Sequence, residues 1–267
     1  MENYSDYIAK NRESWNKRTD YHLESEFYDV KGFLQGKTSL KSIELNLLGD
    51  IKNKSLLHLQ CHFGQDTLSL ARMGADVTGV DLSDNAIKNA KLLAEKTNLD
   101  AKFICCDLYS LPQQLDKQFD IVFTSYGTIG WLPDIDKWAK LISTYLKPGG
   151  KFIFVEFHPV VWMYDDNFEK IAYNYFNVAP IVETESGTYA DKTAPIKNEY
   201  IAWNHPTSEV LNSLIQNGLV LKSFDEFNYS PYNCFNHTEE FEPGKFRIKH
   251  LGNNIPMVFS LEAEKEI

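Results

Sequence analysis

Short apolar runs alternate with stretches of helical periodicity through the middle of the chain. The apolar runs predict strands over residues 55–60, 76–81, 101–106, 119–124 and 151–156. Helical periodicity predicts helices over about 65–73, from Ser83 to about Lys96, and from Pro133 and Asp134 to about Leu146. Strands and helices that alternate at this spacing imply right-handed crossovers, and therefore a parallel, doubly wound sheet.

The alternation stops after residue 156. Residues 157–204 are rich in aromatic side chains, and Ile181–Thr184 is expected to pair with a strand near Glu199–Ala202. An insertion of this size in a compact domain is usually a lid or a substrate-binding element. A helix is then predicted from Thr207 to Gly218, followed by a sixth strand over 219–224, a loop of roughly 25 residues and a last strand over 256–261.

The first 50 residues are polar and aromatic. They predict a helix around Trp15 and another over Thr38–Leu48, either as a cap over the sheet's crevice or as cover for a sheet edge. We find no repeat or linker that would divide the chain. We therefore expect one α/β domain over 1–267, made of a cap (1–50), a core (51–156), the insertion (157–204) and a C-terminal part (205–267).

Charge and composition narrow the range of possible functions and partners. The 267 residues carry a formal charge of −10, which disfavours nucleic acid as the main partner because phosphate binding needs a basic surface. No apolar run approaches the roughly 18 to 20 residues that span a bilayer, and the N-terminus has no signal-peptide pattern. We expect a cytoplasmic protein with reduced thiols and no membrane partner.

The most specific signal joins the first two strands. The run Leu56–Leu59 leads through a turn at Gly64 into a helix, so backbone N–H groups and the positive end of a helix dipole meet at one point. The second strand ends at Asp81, whose carboxylate could accept both hydroxyls of a ribose or merely cap the next helix. Together they suggest a nucleoside cofactor.

A metal site is the competing interpretation of the first turn. His58, Cys61 and His62 are possible ligands by residue type, but no matching pair lies at zinc-site spacing elsewhere. We therefore predict no bound metal.

Five motifs in order resemble those of the class I S-adenosylmethionine-dependent methyltransferases. They are His58–Gly64, Gly79–Ser83, Cys106–Leu108, Phe119–Tyr126 and Leu146–Phe152. The first departs from the family's acid and three glycines, since His58, Gln60, His62 and Gly64 occupy those positions. It is similar instead to a bacterial small-molecule subgroup with a His-Leu-Gln-Cys-His-Phe-Gly motif. The resemblance implies a Rossmann-like, seven-stranded, mostly parallel sheet with an antiparallel last strand.

The resemblance also implies a cofactor site for S-adenosyl-L-methionine, with S-adenosyl-L-homocysteine as product. Asp81 would hold the ribose, Asp107 the adenine amine, with Leu108 over the ring, and the backbone of Gln60 and Cys61 the methionine. The full set of implied cofactor residues is Gln60, Cys61, Gly64, Asp81, Leu82, Asp107, Leu108 and Ser125. A solvent-exposed turn is the alternative for Asp107, and Gly64 serves a tight turn in either case.

Methyl transfer requires a nucleophile aligned with an already activated methyl group, and a general base only where the acceptor is a hydroxyl. We predict His158 and Tyr126, beyond the fifth and fourth strands, as catalytic candidates; the alternative for His158 is a structural histidine that ties the insertion to the sheet. Tyr21, His22, Trp131 and Trp203 are candidates for a substrate-binding aromatic pocket, with packing of the lid as the alternative. The predicted activity is metal-independent methylation of a nitrogen or oxygen of a small molecule, by a monomer or homodimer.

Two other classes of function fit parts of this pattern. A nicotinamide-dependent oxidoreductase would also place Asp81 on a ribose, although a dinucleotide favours a three-glycine turn. A protein that binds S-adenosylmethionine without catalysis is the second alternative.

Overall fold

The structure is a computed structural model that describes residues 4–266. The prediction that the N-terminus has no signal-peptide pattern concerns a segment that lies partly outside the described residues. Helices in the described residues are α1 (Tyr4–Glu24), α2 (Val30–Leu34), α3 (Ser42–Leu48), α4 (Gln65–Arg72), α5 (Asp84–Thr97), α6 (Ile135–Tyr145) and α7 (Thr207–Gln216). Strands are β1 (Ser55–Leu59), β2 (Asp76–Asp81), β3 (Lys102–Cys105), β4 (Phe119–Ser125), β5 (Leu146–Phe157), β6 (Ile181–Ser186), β7 (Lys197–Ala202), β8 (Leu219–Phe227), β9 (Thr238–Glu242), β10 (Lys245–Ile248) and β11 (Val258–Lys265).

Seven strands form one sheet in the order β3-β2-β1-β4-β5-β11-β8. The pairs among β1 to β5 are parallel, whereas β11 runs antiparallel to both β5 and β8. This confirms the predicted Rossmann-like fold with an antiparallel last strand. The carboxyl ends of β1 and β4 lie side by side at the point where the strand order reverses, which is where ligands bind in doubly wound sheets.

Local sequence explains the boundaries of the core elements. All five residues of β1 are buried, as expected for a central strand with helices on both faces. Ser83 caps α5 by accepting a hydrogen bond from the Ala86 N–H, and Asp134 caps α6 by accepting one from Lys137. On one face of the sheet the fully buried Trp138 packs edge-on against Phe152, 5.5 Å between ring centroids.

Two predictions about the C-terminal half need correction. Residues 147–150, which lie between the helix predicted to about Leu146 and the strand predicted from residue 151, are part of β5, which begins at Leu146 and pairs with Phe119 before a register shift. The loop expected before the last strand contains the hairpin β9–β10, turning at Pro243 and Gly244. Its strands are mostly charged and pair through contacts such as Arg247–Glu239, 2.9 Å apart, so an apolar pattern could not reveal them.

The N-terminal helix and the insertion lie together over the carboxyl edge of the sheet. The insertion forms the two-stranded hairpin β6–β7, in which Val182 faces Ile201, close to the predicted pairing. Asn11 of α1 bonds both backbone groups of Ile201, donating to its carbonyl at 2.8 Å and accepting from its N–H at 2.9 Å. The Asn11 side chain thus bonds to the edge of the hairpin in the way that the backbone of a further strand would. Among the described residues, no helix is long and apolar enough to cross a membrane.

Candidate active site

A cavity of about 1030 Å³ opens at the carboxyl ends of β1, β2, β4 and β5. The strand ends and the loops that follow them form its lower side, which we call the floor. Helix α1 and the hairpin β6–β7 cover the opposite side, which we call the roof. Residues from both sides line one continuous space, so the N-terminal residues lie over the crevice.

The loop from β1 to α4 has the backbone conformation of a glycine-rich turn, although two of its three key positions carry larger side chains. Gln60, His62 and Gly64 have φ values of 54°, 50° and 79°, so all three are left-handed. These are the three positions at which the family's motif has glycine. At Gly64 a Cβ would lie 2.8 Å from the Phe103 ring, so only glycine fits there. Gln60 is held by donating from Nε2 to the Thr128 carbonyl at 2.7 Å, and its Oε1 has no partner.

Asp81 lies at the tip of β2 and faces the cavity. Its two carboxylate oxygens accept from the backbone N–H groups of His62 and Ser83, each at 2.8 Å. Burial raises the pKa of Asp81 to about 6, although these bonds oppose the shift. Each oxygen has a second lone pair, so the carboxylate can still accept hydroxyl hydrogens from a ligand.

Asp107 contacts both the floor and the roof. It caps the 3₁₀ turn Leu108–Gln113 by accepting from the N–H of Ser110 at 3.0 Å and from its hydroxyl at 2.6 Å. The hydroxyl of Tyr4, at the start of α1, donates to the same carboxylate at 2.7 Å. Helix α1 is therefore anchored at the β3 end of the crevice.

Glu156 organises the loop after β4. It is 2% exposed and accepts from the N–H groups of Gly127, Thr128, Ile129 and Phe157, and from the Thr128 hydroxyl at 2.9 Å. Burial raises the pKa of Glu156, while these donors favour its ionised form. With so many donors on one carboxylate, Glu156 holds the loop that presents Tyr126 to the cavity.

Tyr126 and Glu44 form a hydrogen-bonded pair at the end of β4. Tyr126 lines the cavity with a left-handed φ of 47°, and its hydroxyl donates to Glu44 Oε2 at 2.8 Å. The Lys41 N–H donates to the other oxygen at 2.6 Å. Glu44 is fully buried, and burial together with nearby Asp66 raises its pKa to about 7. A carboxyl group with this pKa can accept a proton near neutral pH.

Arg18 is a buried cation in the roof. Only 3% of its side chain is exposed, and its guanidinium lies over three aromatic rings, those of Trp15, Trp131 and Tyr200, at 5.1 to 5.4 Å. Its Nη2 donates to Glu185 of β6 at 2.8 Å. The aromatic rings and the ion pair together hold Arg18 between α1 and the hairpin.

The predicted site residues separate into two groups. All eight cofactor candidates line the cavity, and so do Tyr126, Trp131 and Trp203. His158, Tyr21 and His22 lie outside that lining. His22 is buried behind the wall and shares a hydrogen with His62, 2.9 Å between His22 Nδ1 and His62 Nε2.

His158 does not have the position that a general base requires. Its Nδ1 accepts from the Val160 N–H at 3.2 Å, so Nε2 carries the hydrogen and contacts Glu226 of β8 at 2.9 Å. Both ring nitrogens make contacts that connect the insertion to the sheet, and neither faces the cavity. The interpretation of His158 as a base is therefore replaced by a structural one.

Sequence reasoning missed Arg18 and Glu44. A signal for Arg18 was available, because Asn11, Trp15, Arg18 and His22 follow the three- and four-residue spacing of one helix face. Glu44 gave no comparable signal, since an acid in the first turn of a helix is ordinary.

The comparisons with known proteins agree with this fold. Residues 57–154 match the methyltransferase domain family. Ubiquinone biosynthesis O-methyltransferase of Coxiella burnetii is 36% identical over 115 residues, covering 43% of this chain and 47% of the relative. Sterol 4-C-methyltransferase strm-1 of Caenorhabditis elegans is 30% identical over 142 residues, covering 50% and 42%. The chain thus spans about half the length of the curated relatives it matches.

Solved structures extend the similarity in fold over nearly the whole chain. Geranyl diphosphate C-methyltransferase from Streptomyces coelicolor matches with a TM-score of 0.61 at 15% identity, covering 99% of this chain and all of the other. A putative S-adenosylmethionine-dependent methyltransferase from Listeria monocytogenes gives 0.56 at 20% identity, covering 84% and 98%. The chain therefore has the Rossmann-like fold of class I methyltransferases. The segment that matches the family model, residues 57–154, runs from β1 into β5.

Proposed function

We propose that this protein is an S-adenosyl-L-methionine-dependent methyltransferase that methylates a nitrogen or oxygen of a small molecule. The observation that carries the proposal is the position of Asp81. Its carboxylate faces the cavity at the tip of β2, beside a loop whose Gln60, His62 and Gly64 are all left-handed. The curated relatives and the matching domain family support methyl transfer as the class of reaction.

The residues present fit this cofactor. Asp81 has free lone pairs for the two ribose hydroxyls, and Asp107 with Leu108 lies at the neighbouring strand end for the adenine. Gln60 and Cys61 would offer backbone carbonyls to the methionine, since the Cys61 N–H already donates to Val80, and the unpartnered Gln60 Oε1 would be an additional acceptor for its ammonium group. When bound, the cofactor supplies a methyl group on a positively charged sulfur.

The roof suits a small acceptor. Helix α1 and the hairpin cover a cavity of about 1030 Å³, which is large enough for the cofactor and a second molecule of modest size. This cover would exclude water from the site and restrict the orientation of an acceptor. Trp131 and Trp203 would form part of the wall around the acceptor. The formal charge of −10 further supports a small molecule as the acceptor in place of a nucleic acid.

Tyr126 and Glu44 give the acceptor's proton a route. For a hydroxyl acceptor, the Tyr126 oxygen would accept the proton as the new bond to carbon forms, while the Tyr126 hydrogen moves to Glu44 Oε2. The proton would neutralise the Glu44 carboxylate, and Tyr126 would end with a hydrogen on its oxygen as before. No metal ion is needed for these steps, so we keep the proposal metal-independent.

Ligand binding tests the proposal directly. At about 100 times its dissociation constant, S-adenosyl-L-homocysteine should stabilise the protein by roughly 2.7 kcal/mol in a thermal-shift measurement, and NAD should not. Stabilisation by NAD alone would favour an oxidoreductase. Transfer of a radiolabelled methyl group to a panel of small amines and phenols then separates catalysis from binding alone.

Asp81→Asn tests the carrying observation. Removing one charged acceptor should weaken S-adenosyl-L-homocysteine binding about 10- to 100-fold in calorimetry, because hydrogen bonds to charged groups contribute about 1.5 to 3 kcal/mol. Asp76→Asn is the matched control at the other end of β2, where the side chain is 57% exposed and paired with Lys117. Equal affinities in the two variants would remove Asp81 from the site.

A further inference from the structure

Three buried polar side chains meet where α1 covers the β1–α4 loop. They are Arg18, His22 and His62, and we call them the basic corner. In each, one nitrogen is buried without a hydrogen-bond partner among the described residues: Arg18 Nε, His22 Nε2 and His62 Nδ1. Arg18 and His62 line the cavity, and Trp15 lies between them, its ring 5.1 Å from that of His62.

Arg18 keeps unused donor capacity. A guanidinium carries N–H donors on three nitrogens, and the contact with Glu185 engages Nη2. Leaving a buried donor on a charged group unpaired costs about 1 to 3 kcal/mol or more. Glu185 itself is 35% exposed at the edge of the hairpin, so it neutralises Arg18 incompletely. The Arg18 guanidinium therefore lacks the pair of oxygen atoms to which its parallel N–H groups donate best.

The two histidines add one more donor to the corner, which is His62 Nδ1 at the cavity in one tautomer and His22 Nε2 behind the wall in the other. Nδ1 of His22 and Nε2 of His62 share one hydrogen, so each neutral ring has its second nitrogen free. One of these free nitrogens carries a hydrogen and the other does not. Burial and the nearby Arg18 charge lower the pKa of His22 to about 2 and of His62 to about 3, so both rings are neutral. Arg18 is therefore the only permanent charge of the basic corner.

We propose that the basic corner binds a carboxylate, with Arg18 as its principal ligand. His62 belongs to the same loop as Gln60 and Cys61, so on the proposed function the nearest carboxylate is that of the cofactor's methionine. A carboxylate on the acceptor would meet the same groups from the side of Trp131 and Tyr200. The two sources share one chemistry, and binding measurements distinguish them.

The first measurement compares S-adenosyl-L-homocysteine with its decarboxylated form, which keeps the ammonium group. By calorimetry the wild-type protein should bind the carboxylate form about 10- to 100-fold more tightly. Arg18→Met should reduce this preference to about threefold or less and leave the affinity for the decarboxylated ligand unchanged. Arg18→Lys, which keeps the charge and loses the planar fork, should give an intermediate preference.

A control on the same helix separates this effect from a general loss of positive charge. Lys17→Met removes a lysine that is 46% exposed and pairs with Glu13, and it should leave the preference intact. A merely structural Arg18 would behave differently, because its loss would weaken both ligands by the same factor. Wild-type protein that shows no preference would overturn the cofactor as the source, whether or not any variant folds.

The second measurement tests the acceptor as the source. The protein saturated with S-adenosyl-L-homocysteine is titrated with 4-hydroxybenzoate and with phenol, which differ by the carboxylate. Wild-type protein that binds 4-hydroxybenzoate more tightly than phenol, with the difference lost in Arg18→Met, would support a carboxylate on the acceptor as the ligand of the basic corner. The proposal is overturned if neither pair shows an Arg18-dependent preference. If neither S-adenosyl-L-homocysteine nor its decarboxylated form binds the wild-type protein, the proposed function fails. The comparison of 4-hydroxybenzoate with phenol, made without S-adenosyl-L-homocysteine, still tests the basic corner.

Discussion

The floor and the roof of the cavity satisfy their buried polar groups in different ways. In the floor, Glu156 and Asp81 are bonded mostly to backbone N–H groups of the loops that carry them or lie beside them. In the roof, the contacts join side chains far apart in sequence. Arg18 of α1 donates to Glu185 of β6, and Lys10 of α1 pairs with Glu199 of β7.

The floor therefore combines a supporting part with a binding part. The backbone N–H groups that face Glu156 all donate to it, and these bonds hold the loop after β4 in place. Asp81 keeps lone pairs for a ligand, and Gln60 Oε1 has no partner. In the roof, Arg18 and His22 each have an unpartnered nitrogen. We expect loss of Glu156 to affect the whole fold, loss of Asp81 to weaken ligand binding, and changes in the roof to affect the hairpin and ligand binding.

The largest effect should follow Glu156→Ala. Four buried backbone N–H groups lose their acceptor, which should lower the free energy of unfolding by about 3 to 5 kcal/mol in urea titrations. Glu13→Ala, at an acid that is 68% exposed, should change it by less than about 0.5 kcal/mol. A loss below about 1 kcal/mol for Glu156→Ala would show that the floor is not the rigid side.

Glu44→Gln should change how stability depends on pH. The folded state raises the pKa of Glu44 from 4.5 to about 7, so it holds a proton that the unfolded chain releases in this range. Wild-type stability therefore falls as pH rises from about 4.5 to 7, and Glu44 accounts for about 2 kcal/mol between about pH 5 and pH 8.

Urea titrations at these two pH values check the assignment. Glu44→Gln should lose that part of the pH dependence, while the contribution of Asp81, whose pKa is also raised, stays in both proteins. An identical pH dependence in wild type and variant would mean that Glu44 is not the group that titrates near pH 7. It would also remove the proposed proton route through Tyr126.

Asn11→Ala should loosen the roof alone. Both backbone groups of Ile201 lose a buried partner, which should cost about 1 to 2 kcal/mol locally. Hydrogen exchange should therefore accelerate in β6 and β7 by about 5- to 30-fold, with the strands of the main sheet unchanged. Faster exchange throughout the sheet would mean that the roof and the core unfold together.

The smallest effect should come from Glu185→Gln. The ion pair with Arg18 is partly exposed on the Glu185 side, so its loss should cost less than about 1 kcal/mol of stability. The same change frees the Arg18 fork, and binding of a carboxylate ligand should become slightly tighter. Weaker binding in calorimetry would show that Glu185 positions Arg18 instead of competing for it.

The alternating pattern of residues 55–156 was sufficient to predict the parallel core, because its strands are mostly apolar and two of its three helices begin at a side-chain cap. The helix from Ser83 and the helix from Asp134 have the expected N-caps, and the hairpin of the insertion pairs within a few residues of the expected strands. The hairpin β9–β10 was missed because its strands are charged and half-exposed. The extent of β5 was missed because Pro148 and Gly149 favour a turn.

The sequence by itself determined where the core strands and helices lie along the chain, the turn at Gly64 and the acid at the end of β2. These features depend on residues close together in the chain, which leave a readable local pattern. Only the tertiary structure decided that His158 faces Glu226, that Glu44 lies behind Tyr126, and that Arg18 lies against the rings of Trp131 and Tyr200. Such contacts join residues dozens to more than a hundred positions apart, and their chemistry depends on burial that no local pattern records.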